Sequence, residues 1–213
     1  DHLQFGYDPH HKIIDDLSVT LHRGEMISLV GQNGTGKSTL SNLITGFLTP
    51  QAGKMTFDGQ NLADLSVKER ADHIGYILQD PNQMLSKTLI FDEVAAGLVL
   101  RSLDQATIEK RVLATLKVCG LYEFRHWPIS ALSFGQKKRV TIAAILVLEP
   151  AMLILDEPTA GQDLQHYTEM MAFLTKINHE QGMTIMLITH DMHLMLEYTD
   201  RTIVLGNGQI LMD

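Results

Sequence analysis

The chain has 213 residues, of which 45% are hydrophobic and 20% are charged, and its formal net charge is −8. This length can bury a sizeable core in one or two domains, and the acidic balance makes nucleic acid a poor candidate partner. The single cysteine, Cys119, excludes an internal disulfide, and no apolar run reaches the ~18–20 residues that cross a bilayer. We expect Cys119 to be a small buried side chain in a helix of a protein from a reducing compartment.

The first thirty residues are predicted to form three short strands: Leu3–Tyr7, Ile13–Leu21 and Met26–Val30. Apolar and polar residues alternate around Ser18–Leu21, as they do in a half-buried strand, and Arg23-Gly24 supplies a turn before the third strand. His10-His11 is predicted to be a turn pair. The ten histidines are otherwise scattered, and we assign no metal site to them.

The stretch Gly31–Thr39 satisfies G-x-x-x-x-G-K-[ST], the phosphate-binding P-loop. Its glycines let several backbone N–H groups point into one concavity, while Lys37 places a charge on the terminal phosphates and the Ser38 hydroxyl ligates Mg²⁺. A buried strand precedes the loop, and a predicted helix from Ser38 to Gly46 aims its positive end at the phosphates. The residues expected to bind the phosphates are Asn33, Gly34, Thr35, Gly36, Lys37, Ser38 and Thr39.

An aromatic side chain upstream of a P-loop can stack on an adenine ring, and Tyr7 is in that position. Packing of the Tyr7 ring on the sheet is the alternative. Further along the chain, strands are predicted over Lys54–Gly59, at an antiparallel edge, and over Ile74–Leu78. The latter leads into the polar loop Gln79–Gln83, in which a lone glutamine is ordinarily only a hydrogen-bonding loop residue.

The periodicity becomes helical from Phe91 to Phe124, where Ile108, Val112 and Leu116 fall at i, i+4 and i+8. This spacing predicts a helix that buries one apolar stripe. We therefore interpret residues 90–130 as a helical insert between two parts of a nucleotide-binding core, residues 1–89 and 131–213.

Ser133 and Gln136 have capping-box spacing at the start of an apolar helix that is predicted to reach about Leu148. Taken alone, this spacing indicates only a well-capped helix. Gly135 in the first turn lowers helix stability, which indicates that something approaches the backbone closely there. Exposed N–H groups at the start of this helix also form a second anion site, suited to another triphosphate.

Two further apolar runs, Ala151–Leu155 and Thr184–Thr189, are predicted strands that lead into Asp156-Glu157 and His190. The adjacent carboxylates are either a solvated strand-end pair or, beside a P-loop, a Mg²⁺ ligand through water at Asp156 and a general base at Glu157. His190 can donate a hydrogen bond to a γ-phosphate. Because ligands lie beyond the carboxyl ends of the strands in an open α/β sheet, we expect these groups to share one site with the P-loop.

Together these motifs resemble an ATP-binding cassette (ABC) ATPase over essentially the whole chain. P-loops occur in many NTPases, so the specific part is the signature Leu132–Gln136 followed by Leu155-Asp156-Glu157-Pro158. The resemblance implies an α/β fold in a single domain, residues 1–213. It would combine a P-loop NTPase core with a mainly parallel sheet, an N-terminal antiparallel β subdomain and an inserted α-helical subdomain. It also implies that the chain binds and hydrolyses ATP with Mg²⁺.

The resemblance also implies a role for each site residue. The catalytic set would be Glu157, His190, Gln79 and Lys37. The Mg²⁺ set would be Ser38, Gln79 and, through water, Asp156. Tyr7 would stack on adenine, and Ala160-Gly161-Gln162-Asp163 would cross a dimer interface. The residues that bind the ATP of a second cassette would be Ser133, Gly135 and Gln136.

Phe134 departs from the family pattern, since it takes the place of the first signature glycine. Leu78–Gln83 and Phe91–Leu98 resemble the energy-coupling-factor branch, whose members import vitamins and metal ions. This resemblance implies a peripheral subunit on the cytoplasmic face of the membrane. It would pair with a second cassette, identical or different or in the same polypeptide, and with transmembrane subunits at the Gln79–Gln83 groove. The cargo is left open.

Alternative functions within the same fold are disfavoured by the sequence. A chromosome-maintenance or DNA repair ATPase would place long coiled coils between the P-loop and the signature, and no sustained heptads occur there. A translation-associated cassette pair would need a basic arm for RNA. A regulatory module without hydrolysis would not need Glu157 and His190. The chain begins at Asp1 and ends abruptly at Asp213, so we expect it to be part of a longer polypeptide.

Overall fold

The computed structural model describes residues 1–8, 11–160 and 162–213. Within these ranges the strands are β1 (Leu3–Phe5), β2 (Ile14–Leu17), β3 (Met26–Val30), β4 (Thr56–Phe57), β5 (Gln60–Asn61), β6 (Ile74–Ile77), β7 (Met152–Asp156), β8 (Thr184–Ile188), β9 (Arg201–Gly206) and β10 (Gln209–Met212). The helices are α1 (Lys37–Thr45), α2 (Val67–Arg70), α3 (Ile90–Leu100), α4 (Gln105–Val118), α5 (Phe134–Leu146), α6 (Leu164–Gln181) and α7 (Met192–Tyr198).

The central sheet has the strand order β10-β9-β3-β8-β7-β6. Strands β9, β3, β8, β7 and β6 are parallel to one another, and β10 pairs antiparallel with β9 at one edge. Two separate antiparallel pairs, β1-β2 and β4-β5, lie in the first third of the chain. The α/β class, the mainly parallel sheet and the N-terminal antiparallel strands are therefore confirmed.

Each face of the central sheet has its own hydrophobic core, because successive side chains of a strand point to opposite faces. Ile185 and Leu187 of β8 belong to a core shared with helices α3, α4, α5 and α6. Met186 and Ile188 belong to a second core shared with β1, β2 and α1. Strands β3 and β8 are buried along their whole length because both faces are covered.

The helical insert packs on the first of these cores. The predicted stripe Ile108, Val112 and Leu116 is buried along α4, and Cys119 is fully buried where that helix ends. Burial raises the pKa of the Cys119 thiol to about 12. The cysteine is therefore an inert core side chain, as the sequence predicts.

The strand predicted over Ile13–Leu21 is too long, and its Ser18–Leu21 part is wrong. Strand β2 ends at Leu17, which pairs with Leu3, the first residue of β1, so the ladder ends with its partner strand. Val19 and Leu21 still pack against the core around β1 and β2. The alternation thus reflects burial of every second side chain without strand pairing.

Candidate functional site

The predicted reactive residues follow the ends of four neighbouring parallel strands. Strands β3, β8, β7 and β6 lie side by side in this order, and their last residues pair or nearly pair across the sheet. The P-loop follows β3, and Thr189-His190 follows β8. Asp156 is the last residue of β7 and is followed by Glu157, and Gln79 lies just after β6. The sheet therefore brings the separate motifs to one edge.

The P-loop passes directly from β3 into α1 and is shaped by left-handed glycines. Gly34 has φ 83° and Gly36 has φ 101°. A Cβ atom on Gly36 would lie 2.9 Å from Ile14 Cδ1, whereas a Cβ on Gly34 would meet no heavy atom within 4 Å. Gly36 is the N-cap of α1 and offers no side-chain cap, so no side chain of the cap competes with an anion for the first N–H groups of the helix.

The side chain of Lys37 folds back onto the start of the P-loop. Its Nζ donates to Gly31 O at 2.7 Å and to Gln32 O at 3.0 Å. An ammonium group has three donors, so the third can reach a bound anion while the first two hold the loop. Ser38, in the next position, is exposed, which leaves its hydroxyl accessible to a ligand.

Tyr7 stands beside the P-loop helix with 66% of its surface exposed. Its ring packs edge-to-face on Phe5 at a centroid distance of 5.1 Å, and its hydroxyl lies 3.4 Å from Thr39 Oγ1. One ring edge is thus anchored while much of the ring remains in solvent. The exposed part of the ring is accessible to a base, and the stacking role of Tyr7 stays a prediction.

Asp156 ends β7 in a partly buried position, and Tyr76 of β6 donates its hydroxyl to Asp156 Oδ2 at 3.4 Å. Burial raises the pKa of Asp156, and the neighbouring charge of Glu157 raises it further. Lys37 and Lys138 act in the opposite direction. A bound cation would relieve the same cost, because a positive charge stabilises the ionised carboxylate.

Glu157 is held at both oxygens of its carboxylate. Oε1 lies 2.7 Å from His190 Nδ1, and Oε2 accepts a longer hydrogen bond of 3.5 Å from Thr189 Oγ1. The Glu157 side chain is 15% exposed, whereas that of His190 is 76% exposed. Because the pairing engages Nδ1, a contact between His190 and a phosphate would fall to Nε2.

The backbone of Glu157 adopts φ 43°, in the left-handed region that non-glycine residues rarely occupy. Such a conformation costs on the order of 1–3 kcal/mol and persists only where its surroundings enforce it. The Glu157 N–H donates to Ile188 O at 2.9 Å, and its carbonyl accepts a 2.7 Å hydrogen bond from Lys138 Nζ. Both peptide groups beside the strained residue are therefore held by neighbouring elements.

Lys138, Thr189 and Tyr76 are the contact residues that the sequence analysis missed. A signal for Lys138 was present, since Lys138, Ile142 and Leu146 follow one another at i, i+4 and i+8 along α5, and Ile142 and Leu146 are in the core. That spacing places Lys138 on the buried side of the helix. The other two residues become recognisable only when β6, β7 and β8 are known to be neighbours.

The start of α5 has the predicted capping box. Gln136 N donates to Ser133 Oγ at 3.2 Å, and Ser133 N donates to Gln136 Oε1 at 3.0 Å. A pocket of about 390 Å³ opens here, lined by Ser133, Gly135 and Gln136 but by no residue of the P-loop. A Cβ on Gly135 would meet only His166, at 3.9 Å, so within the described chain nothing approaches this backbone closely.

Two further predicted site residues, Gln79 and Asn33, lie in loops. Gln79 is exposed just after β6, and Asn33 is exposed on the P-loop. Gly161, predicted to cross a dimer interface, and His10 lie outside the described residues. A separate apolar cavity of about 330 Å³ lies between the β1-β2 pair and the central sheet, and no predicted site residue lines it. The candidate functional site therefore remains the one at the strand ends.

The described residues hold no cluster of three or more histidine, cysteine or acidic side chains able to bind a metal. Mg²⁺ does not need such a cluster, since it is commonly held by one or two protein oxygens together with substrate phosphates and water. The exposed Ser38 hydroxyl and the Asp156 carboxylate fit that requirement. In the part of the chain that the structure covers, no helix has the length and apolarity needed to span a membrane.

Comparison with known proteins gives a consistent result. The profile of the ABC transporter family matches residues 14–160. A protein of Lactiplantibacillus plantarum named as an ABC transporter ATP-binding protein is 83% identical over 213 residues. The match covers all of this chain and 38% of that relative, so the chain spans well under half the length of the curated protein that it resembles.

Two solved structures share the fold over nearly the whole chain. The cbiO1 protein of Clostridium perfringens, described as part of the ABC transporter complex cbiONQ, is 36% identical to this chain, with a TM-score of 0.94. The match covers 100% of this chain and 85% of the cbiO1 chain. The ATP-binding cassette MJ0796, described as a dimer in a post-hydrolysis state with ADP and Pi, is 27% identical with a TM-score of 0.84. That match covers 99% of this chain and 95% of MJ0796.

Proposed function

We propose that this chain, which belongs to the ABC transporter family, binds and hydrolyses Mg-ATP and so powers the transport of a small solute across the cytoplasmic membrane. The observation that carries the proposal is the convergence of the P-loop, the Asp156-Glu157 pair and His190 at one sheet edge, with Glu157 Oε1 2.7 Å from His190 Nδ1. A nucleoside triphosphate held by the P-loop would present its terminal phosphate to this pair.

Each residue has a distinct task in the proposed reaction. The P-loop N–H groups and Lys37 would hold the phosphates, and the exposed Tyr7 ring would stack on the base. Glu157 would accept a proton from the attacking water at a carboxylate oxygen, while His190 keeps that carboxylate oriented. Ser38 and Asp156 would hold Mg²⁺, the latter through water, and Gln79 would complete the site from β6. Bound Mg²⁺ neutralises charge on the terminal phosphates.

The position of the signature helix supports action as a pair of cassettes. Ser133, Gly135 and Gln136 line a pocket that contains no P-loop residue, so these groups are available to a nucleotide from outside the chain. We propose that two cassettes pack head-to-tail, each binding ATP between its own P-loop and the partner's signature. ATP would then favour the closed pair only through its greater affinity for that state. The dimeric MJ0796 cassette with ADP and Pi is consistent with this arrangement.

The length of the curated L. plantarum relative permits a second cassette in the same polypeptide. The matched stretch takes up 38% of the L. plantarum relative, so the remainder is longer than this chain and has room for another cassette. Transmembrane subunits would dock at the Gln79–Gln83 loop, whose Pro81 is buried and whose Gln79 is exposed. This would place the chain on the cytoplasmic face of the membrane.

The proposed cargo is a vitamin, a vitamin precursor or a metal ion, as in the energy-coupling-factor branch. Support comes from the resemblance of Leu78–Gln83 and Phe91–Leu98 to that branch and from the 36% identity to cbiO1 of the cbiONQ complex. Cargo itself would be selected by the membrane partners, since no residue of this site is needed to recognise it.

Steady-state ATP hydrolysis tests the proposal, with Glu157→Gln as the test variant and Glu180→Gln as the control. Glu180 is an exposed carboxylate at the far end of α6. Loss of a general base lowers turnover by about 10²–10⁴-fold, so Glu157→Gln should bind ATP and scarcely hydrolyse it. Glu180→Gln should match the unmodified chain. An unmodified chain without ATPase activity, even with its transmembrane partners, would contradict the proposal.

A further inference from the structure

Lys138 is a charged side chain with no exposed surface, in the second turn of α5. Its Nζ donates to Glu157 O at 2.7 Å and lies 5.7 Å from the centroid of the Phe134 ring. Burial lowers the pKa of Lys138 to about 8, while the charges of Glu157, Asp156 and Asp80 act to raise it. The ammonium group thus lies between the Phe134 ring and the carbonyl oxygen of Glu157, the residue proposed as general base.

The carbonyl that Lys138 contacts belongs to a strained residue. Glu157 has φ 43°, and its N–H is already fixed by Ile188 O at 2.9 Å. The backbone torsions of a residue set the direction of its side chain. Removing the hydrogen bond at the carbonyl side would therefore let the Glu157 backbone relax and turn its carboxylate away from His190.

We infer that Lys138 is a positioning residue for hydrolysis, which holds the left-handed backbone of Glu157 and thereby keeps the carboxylate aimed at the attacking water. The inference rests on the proposed function. Lys138 also connects the Glu157 site with the signature pocket, because it belongs to α5, whose N-cap is Ser133. Ser133 is the residue proposed to contact the nucleotide of the second cassette. A shift of α5 on engaging that nucleotide would be passed through Lys138 to the carboxylate of the same chain.

The test compares Lys138→Met, which keeps the length and burial of the side chain but has no donor, with Lys138→Arg, which keeps a donor. Lys110→Met is the matched control, since Lys110 is an exposed lysine of α4, on the solvent side of a helix that carries no proposed site residue. For each variant we would measure kcat and KM for ATP, the dissociation constant of Mg-ADP and the melting temperature.

Misplacement of a reacting group by about 1 Å can cost on the order of 100-fold in rate. Lys138→Met should therefore lower kcat by about 10–100-fold, with KM and Mg-ADP affinity within about twofold of the unmodified chain. Lys138→Arg should recover part of the lost kcat, and Lys110→Met should leave both constants unchanged. This split between kcat and KM is not expected of a residue that only stabilises the fold.

Several outcomes would overturn the inference. One is an unchanged kcat in Lys138→Met, and another is an equal loss of kcat and nucleotide affinity. A crystal structure of Lys138→Met gives a readout independent of activity: the inference requires the φ of Glu157 to leave the left-handed region, and a retained φ near 43° contradicts it. If Lys138→Met does not fold, the same two readouts apply to Lys138→Gln. An unmodified chain that binds ATP without turning it over would instead contradict the proposed function.

Discussion

Adding one methyl group to Gly34 or to Gly36 separates what the P-loop needs for folding from what it needs for phosphate binding. Both residues have positive φ, 83° and 101°, so alanine at either position pays about 1–2 kcal/mol for the left-handed backbone. At Gly34 the added Cβ meets no heavy atom within 4 Å. At Gly36 it would lie 2.9 Å from Ile14 Cδ1 and 3.1 Å from Ile13 O.

Overpacking of this kind adds about 1–3 kcal/mol. Gly36→Ala should therefore destabilise the chain by roughly 2–5 kcal/mol, against roughly 1–2 kcal/mol for Gly34→Ala. Urea unfolding of the nucleotide-free chain, followed by far-UV circular dichroism, measures both values. Gly182→Ala is the control for backbone strain alone, because Gly182 has φ 61° and open space around its Cβ position, at the end of α6.

Nucleotide affinity supplies the second readout. Gly34→Ala should weaken Mg-ATP binding although its loss of stability equals that of Gly182→Ala, since only Gly34 belongs to the loop that holds the phosphates. Equal destabilisation by Gly34→Ala and Gly36→Ala would refute the role of the Ile13-Ile14 contact. Unchanged ATP affinity in Gly34→Ala would refute the assignment of this loop to phosphate.

Two further substitutions test the proposed stacking of Tyr7 on the nucleobase and the proposed role of Asp156 as a Mg²⁺ ligand. Tyr7→Ala should weaken nucleotide binding by about 1–3 kcal/mol, the usual value of one stacked base, and leave the hydrolysis rate per bound ATP similar. An unchanged dissociation constant for the nucleotide would show that the Tyr7 ring only packs on the sheet. Asp156→Asn should raise the melting temperature of the chain in Mg²⁺-free buffer, because burial and Glu157 raise the pKa of Asp156 and so disfavour its charged form. This gain should shrink as the pH falls through the raised pKa, since the folded chain then binds the proton and the penalty disappears. A gain that persists at acid pH, or Mg-ATP binding that survives the change, would contradict the assignment.

The sequence predicts the local parts of the site because each motif carries its own chemistry. The P-loop, the Ser133–Gln136 capping box and the strands that lead into Asp156-Glu157 and His190 all follow from short patterns, and the structure places them at one sheet edge and one helix start. The order of the strands does not follow from such patterns. Strand β8 lies between β3 and β7, and this order is set by tertiary packing of residues far apart in the chain.

Lys138 illustrates a second limit of sequence reasoning. It stands beside Lys137, and residue type alone does not distinguish a buried ammonium from an exposed one. Only the spacing of Lys138 along α5 distinguishes it from the exposed type of lysine. Its hydrogen-bond partner is the backbone carbonyl of Glu157, and a backbone group cannot be recognised from residue type. The β9-β10 hairpin, in contrast, has a local signal in the sequence, because Asn207-Gly208, both with positive φ, is a typical two-residue hairpin turn.

The central claim is that the site is completed by the Ser133 helix of a second cassette when ATP is bound. Light scattering of Glu157→Gln with and without saturating Mg-ATP tests it most directly. We predict a mass near the 23.8 kDa of one chain without nucleotide and about twice that mass with it, and Ser133→Arg in the same background should stay at the lower value. A mass of one chain under both conditions would contradict the account.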